Sequence, residues 1–143
     1  MSAPRNEPPV AALLTVLIVD DQPPFLRAVR ALLETSRRFA VVGEATSGEE
    51  ALELTRRLRP QLVLMDVRLP GLTGIQTSRR IVAQFPSTVV VLVSTHRRAD
   101  LPPGLDDCGA AAFTPKEDVD GDALAALVTP HEQPARRHLS AAL

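Results

Sequence analysis

Leu13-Leu14-Thr15-Val16-Leu17-Ile18-Val19-Asp20-Asp21 is an almost unbroken apolar run that stops at two adjacent carboxylates. A strand buried on both faces reads this way, because helices cover both sides of a parallel sheet. Working outward, the same grammar recurs. Leu62–Met65 ends in Asp66, and Val89–Val93 ends in the hydroxyls Ser94 and Thr95. A short fourth run, Ala110–Phe113, precedes Lys116, the single lysine beside fifteen arginines. Strands ending in acid, acid, hydroxyl and lysine describe one polar site at one edge of a parallel sheet. That edge is where open α/β sheets bind their ligands.

Helical signals fill the gaps between these runs. Pro23 and Pro24 suit a first helical turn, where missing N–H donors cost little. Leu26, Val29 and Leu33 follow at helical spacing. Phe39–Glu44 reads as a strand. Ser47 and Glu50 have the spacing of a capping box, Glu53 can pair with Arg57 one turn on, and Pro60 stops that helix. Leu69-Pro70-Gly71 is a turn. Gly74 leads into a helix with Ile75, Val82 and Phe85 on one face, ended by Pro86. Thr88–Ser94 is the fourth strand. Residues 99–107 allow two helical turns at most, because Pro102-Pro103 disturbs the start. Ala110–Phe113 is the fifth strand, and Gly121–Val128 the last helix, with Leu124, Leu127 and Val128 apolar. Five such units, (βα)5, imply an α/β fold: a five-stranded parallel sheet with helices on both faces.

The 143 residues suit one domain with a real core. The expected boundaries are an N-terminal tail over 1–12, the domain over 13–128 and a C-terminal tail over 129–143. The chain is 45% hydrophobic and 23% charged, with net charge −1, so no global field recruits nucleic acid or an anionic membrane. Cys108 is alone and cannot form an intramolecular disulfide, which fits a reducing, cytoplasmic compartment. Val10–Val19 is too short to span a membrane, and Asp20-Asp21-Gln22-Pro23-Pro24 stands where a signal-peptide cleavage site would be needed.

Carboxylates converging in a partly desolvated cleft repel one another, and a hard divalent cation relieves this. Mg²⁺ takes carboxylates, a carbonyl and retained waters. Asp66, at a strand tip, is the candidate nucleophile, since a carboxylate can form an aspartyl-phosphate. Lys116 offers a mobile point charge to a phosphate oxygen, and Ser94 a hydroxyl. Blander readings stand beside these. Asp20-Asp21 alone could be a helix cap, stabilising by ~1 kcal/mol. Thr95 rivals Ser94, and Phe113 could simply be core. Cys108 reads as a small buried hydrophobe. His96, His131 and His138 lack ligand spacing and read as surface residues. The Arg pairs read as solvated faces, with partner docking an alternative for Arg97-Arg98.

Together the motifs resemble the receiver domain of two-component response regulators. They are Val16-Leu17-Ile18-Val19-Asp20-Asp21, Leu64-Met65-Asp66-Val67-Arg68-Leu69-Pro70-Gly71, Val91-Leu92-Val93-Ser94-Thr95 and Gly109-Ala110-Ala111-Ala112-Phe113-Thr114-Pro115-Lys116. The resemblance covers roughly residues 13–128. It implies the flavodoxin-like, doubly wound strand order 2-1-3-4-5, an order the receiver fold is known for. It implies that Asp66 is the phosphoacceptor, that Asp21 binds Mg²⁺ directly and Asp20 mainly through water. The Arg68 backbone carbonyl is a further implied ligand. Ser94 is then the switch hydroxyl, Phe113 the aromatic that follows it, and Lys116 the phosphoryl-binding cation. The implied partners are a sensor histidine kinase or phosphotransfer protein. A homodimer or protein partner would dock on the family's α4–β5–α5 face, here residues 99–107, 110–113 and 121–128. Departures are Thr95, where Ala or Gly is frequent, Arg68, and Glu117, which excludes a cis Lys-Pro peptide and leaves Thr114–Pro115 trans by default.

The Gly-Ala-Ala-Ala-Phe run and the Lys-Glu ending resemble receivers of the LuxR-type DNA-binding branch. Only 15 residues follow Val128, so direct DNA binding by this chain is not expected. Two other classes compete with a phosphorylation-switched module that turns over no metabolite. A pseudo-receiver docking domain would lack site residues that are all present here. An aspartyl-phosphate phosphatase of the haloacid dehalogenase type needs a second Asp where Arg68 stands. No P-loop occurs.

Overall fold

The structure is a computed structural model that describes residues 13–129. The expected N-terminal tail, and the expected C-terminal tail beyond Thr129, lie outside the described residues. Five strands, β1 (Leu14–Val19), β2 (Phe39–Ala45), β3 (Leu62–Asp66), β4 (Val89–Ser94) and β5 (Ala112–Pro115), form one sheet. All pairings are parallel and the order is β2-β1-β3-β4-β5, the expected 2-1-3-4-5. Four helices, α1 (Pro23–Ser36), α2 (Gly48–Leu58), α3 (Gly74–Gln84) and α4 (Gly121–Val128), cover it.

Strand alternation sorts the core into two layers. Val16, Ile18, Leu62, Leu64, Val91 and Val93 face Leu26, Val29 and Leu33 of α1 and Leu124 and Ala125 of α4. Leu17, Val19, Val63, Met65, Val90 and Leu92 face Ala51 of α2 and Ile75 and Ile81 of α3. From Val16 in β1, and throughout β3 and β4, the central strands are therefore apolar until the site begins.

Local chemistry sets the boundaries. Pro23 and Pro24 occupy the first two positions of α1. The Ser47 hydroxyl accepts from Glu50 N at 3.1 Å, but the Glu50 carboxylate accepts from Thr46 N at 2.8 Å, so the expected box closes one residue early. Thr73 and Gln76 make the reciprocal box that opens α3. Glu53 pairs with Arg56 rather than with Arg57. Asp120 caps α4 through Ala123 N at 2.9 Å.

Two expectations are corrected. Residues 99–107 form no α-helix; only a 3₁₀ turn spans Arg98–Asp100. Pro102 and Pro103 remove two successive donors, and Leu101 is extended at ψ 158° as the residue before a proline tends to be. Gly104 then turns at φ +99°. The helix of the fourth βα unit is thus replaced by an irregular segment, held by Arg98 to Asp106 and by Arg79 to Asp107 at 3.0 Å. The fifth strand begins at Ala112 rather than Ala110. Gly109 turns at φ +85°, Ala111 N reaches Val90 O at 2.7 Å, and the ladder runs from Ala112 opposite Val91 to Pro115 opposite Ser94. Proline is admissible there because β5 is an edge strand.

Candidate functional site

The C-terminal ends of β1, β3, β4 and β5 meet at one edge of the sheet. Asp20 follows β1 directly and is fully buried, whereas Asp21 is exposed. Asp66 ends β3 and is 7% exposed. Carboxylate oxygens of Asp20, Asp21 and Asp66 all lie within 4.8 Å of one another. Lys116, just past β5, places Nζ 2.6 Å from Asp20 Oδ2 and 3.4 Å from Asp66 Oδ2, with its side chain only 8% exposed.

Backbone donors fix the two buried acids. Asp20 Oδ1 accepts from Gln22 N at 2.8 Å, and Asp66 Oδ1 from Arg68 N at 3.2 Å. Asp20 Oδ2 has no partner in hydrogen-bond geometry; the Lys116 ammonium is its ionic partner, and its acceptor capacity is unspent. A buried hard oxygen with spare capacity beside two further carboxylates fits Mg²⁺ or its bound water. Burial raises the Asp66 carboxyl above the usual carboxylate range, and the nearby Asp20 charge adds to this. The Lys116 charge and the Arg68 N–H oppose it.

Ser94 ends β4 and is buried, while Thr95 is exposed. The Ser94 hydroxyl accepts from His96 N at 2.9 Å, and His96 Nδ1 lies 3.5 Å from it. Phe113 stands opposite Leu92 on β5, on the face that Ser94 shares by strand alternation. It is half-buried, and the Arg98 guanidinium lies 5.8 Å from its ring centroid. The Arg68 guanidinium points across to the Asp100 carbonyl at 3.1 Å. A cleft of about 190 Å³ opens among Asp21, Gln22, Asp66, Arg68, Thr95, His96 and Lys116.

Asp20, Asp21, Asp66, Arg68, Ser94, Thr95 and Lys116 thus converge on this edge. Phe113 sits one strand position removed. His96 is exposed, as its sequence reading expected, and it meets Ser94 through its backbone N–H two residues on. Sequence reading missed one neighbour of the site, Phe25. The Phe25 ring centroid lies 4.4 Å from Lys116 Nζ. Its signal was the Pro23-Pro24 pair, which fixes where the third residue of α1 must stand.

The pattern of the response regulator receiver domain family matches residues 16–129. The chain belongs to this family. The receiver is 35% identical over 116 residues to the response regulator GacA of Pseudomonas viridiflava, covering 81% of this chain and 52% of that protein. It is also 35% identical over 105 residues to protein-glutamate methylesterase/protein-glutamine glutaminase 3 of Hahella chejuensis, covering 72% of this chain and 30% of that protein. The chain therefore spans between about a third and a half of these relatives. Among solved structures, the signal receiver domain of the putative response regulator NarL from Mycobacterium tuberculosis superposes with a TM-score of 0.76 at 31% identity. That match covers 81% of this receiver and 96% of that domain. Among the described residues no helix is long and apolar enough to cross a membrane.

Proposed function

We propose that this receiver is a phosphorylation-switched signalling module that accepts a phosphoryl group on Asp66 from a histidine kinase or phosphotransfer protein. The observation that carries the reading is Lys116 lodged between Asp20 and Asp66 at the strand ends, with Asp21 beside them. In the transfer an Asp66 carboxylate oxygen bonds to phosphorus while the phosphorus–nitrogen bond of the donor phosphohistidine breaks. The departing imidazole keeps the electron pair and takes up a proton. Lys116 then moves its charge from the carboxylates to a phosphoryl oxygen, and Ser94 turns its hydroxyl to another. Asp21, Asp66 and the Arg68 carbonyl would hold Mg²⁺ directly and Asp20 mainly through water. When bound, the ion supplies positive charge to the transferring group.

Output follows from the same parts. Turning Ser94 toward the phosphoryl group releases the His96 N–H that it now caps, and so loosens the 95–107 segment. Phe113 packs under that segment and follows it. The surface read by a partner, or by a second copy of the chain, is then residues 95–107 with β5 and α4. A helical 99–107 face is not part of it. The receiver turns over no metabolite and works in the cytoplasm, where histidine kinases present their donors.

Phosphoramidate with Mg²⁺ tests the assignment by intact mass. One added phosphoryl group is expected, and none in Asp66→Asn. Labelling that survives Asp66→Asn overturns it.

A further inference from the structure

We infer that Phe25 is a positioning residue for Lys116, holding the ammonium over its ring face while the lysine changes anionic partners. The inference deepens the phosphoacceptor reading and rests on it for its kinetic arm. Two sides of the ammonium face carboxylates, Asp20 Oδ2 at 2.6 Å and Asp66 Oδ2 at 3.4 Å. A third side faces the Phe25 ring at 4.4 Å from its centroid, within the range of a cation–π contact. The side chain of Lys116 is 8% exposed, so the contact is largely desolvated, where it is strongest.

The ring is aimed by rigid backbone. Phe25 is the third residue of α1, and Pro23 and Pro24 fix φ at the two before it. Phe25 N donates to Gln22 O at 3.1 Å, and its ring packs against the core layer of Val16, Ile18 and Leu26. It does not line the cleft, so it backs the ammonium without blocking the phosphoryl group's approach.

A π face suits this place because it attracts a cation without adding negative charge. A further carboxylate would push the Asp66 carboxyl still higher and compete with the incoming phosphoryl oxygens. The two acids both change roles on phosphorylation: Asp66 becomes the acyl phosphate and Asp20 turns to the metal shell. Phe25 is a partner of Lys116 whose chemistry stays the same in both states.

Lys116 is the only lysine in the chain, so lysine-selective ¹³C labelling gives a single Cε–Hε signal without assignment. In the full chain the Hε signal is expected upfield of a free lysine, from the ring current. Phe25→Leu keeps apolar bulk and removes the π face; it should lose the shift. It should also slow phosphorylation by phosphoramidate and Mg²⁺ about three- to thirtyfold. Phe25→Tyr should restore both, within about twofold in rate. An unshifted lysine in the unmodified protein overturns the inference. So does Phe25→Leu phosphorylated at the full rate, or Phe25→Tyr as slow as Phe25→Leu. A wild-type protein that takes no phosphoryl group sinks the phosphoacceptor reading instead, and the lysine signal still decides whether Phe25 holds Lys116.

Discussion

At the scale of single residues, the site stores electrostatic stress that its ligand relieves. Burial and the Asp20 charge raise the Asp66 carboxyl, so the folded state binds that proton more tightly than the unfolded chain does. Ionising Asp66 therefore costs stability. The cost is absent below the unfolded carboxylate range near ~4 and complete above the raised folded value. Asp66→Asn should raise the melting temperature at pH 7, and the difference should vanish as pH falls toward ~4. An Asn variant less stable than wild type at pH 7 contradicts this account. Mg²⁺ should act in the same direction, by ~1.4 kcal/mol at ten times its Kd. Calorimetric titration should find a larger loss of Mg²⁺ affinity in Asp21→Ala than in Asp20→Ala, because a direct ligand outweighs one acting through water. Equal affinity in wild type and both variants would refute the metal site. Asp20, Asp21, Asp66, Ser94 and Lys116 were legible in the sequence because each is a polar break in or just beyond an apolar run. Phe25 was not, because the placement of α1 brings its ring to Lys116 and that does not follow from spacing.

At the scale of elements, unbroken apolar runs, helical apolar spacing and prolines at helix ends made β1, α1, β3, α3 and α4 readable, while the chain after β4 defeated the periodic reading. Apolar spacing at Leu101, Leu105 and Cys108 serves packing without a helix, since Pro102 and Pro103 withhold the donors a helix needs. The start of β5 was misplaced because Gly109 and the alanines after it carry no alternation to mark the register. Two elements nonetheless transmit the site's geometry. Gly74 opens α3 against the end of β3; a Cβ there would lie 2.2 Å from the Asp66 carbonyl oxygen and 2.9 Å from Val67 Cα. Gly74→Ala must push α3 or the Asp66 peptide aside, at about 3 kcal/mol of stability, and should slow phosphorylation as well. Denaturant titration and phosphoramidate labelling measure the two, and a variant matching wild type in both contradicts the close approach. Ser94 couples β4 to the irregular segment through His96 N. Ser94→Ala should cost about 1 kcal/mol and still accept phosphate on Asp66. Its amide resonances over 95–107 should then respond less to phosphorylation. Equal responses with and without the hydroxyl break that coupling.

At the scale of the whole molecule, the fold separates a rigid body from a surface that can be rewritten. Val16–Val19, Leu62–Met65 and Val90–Val93 are apolar and buried on both faces, so neither core layer has slack to carry a signal. The segment after β4 has no regular ladder or helix beyond one 3₁₀ turn; Leu101, Leu105 and Cys108 anchor it to the core, while its ion pairs are exposed and worth ~0–1 kcal/mol each. A phosphoryl group at Asp66 is expected to shift the part of this segment nearest Ser94, where the ties are exposed, rather than its end at Cys108, which Ser78 holds at 3.0 Å. Moving it from 1:99 to 99:1 needs ~5.5 kcal/mol of differential binding, within reach of charge-assisted bonds to Lys116 and Ser94. The readout is expected to be protein contact. Net charge is −1, and Arg97 and Arg98 are tied to Asp100 and Asp106 rather than arrayed as a basic stripe. Residues 1–143 should bind duplex DNA no better than ~10⁻⁴ M at physiological salt, while a phosphoryl mimic raises self-association or affinity for a partner through residues 95–107, β5 and α4. Sedimentation with and without the mimic reads the first, and Arg97→Glu should weaken the gain by placing like charge beside Asp100. A sequence-specific gel shift by this chain alone, or association that the mimic leaves unchanged for itself and for its kinase-matched partner alike, would show that the signal leaves the molecule by another surface.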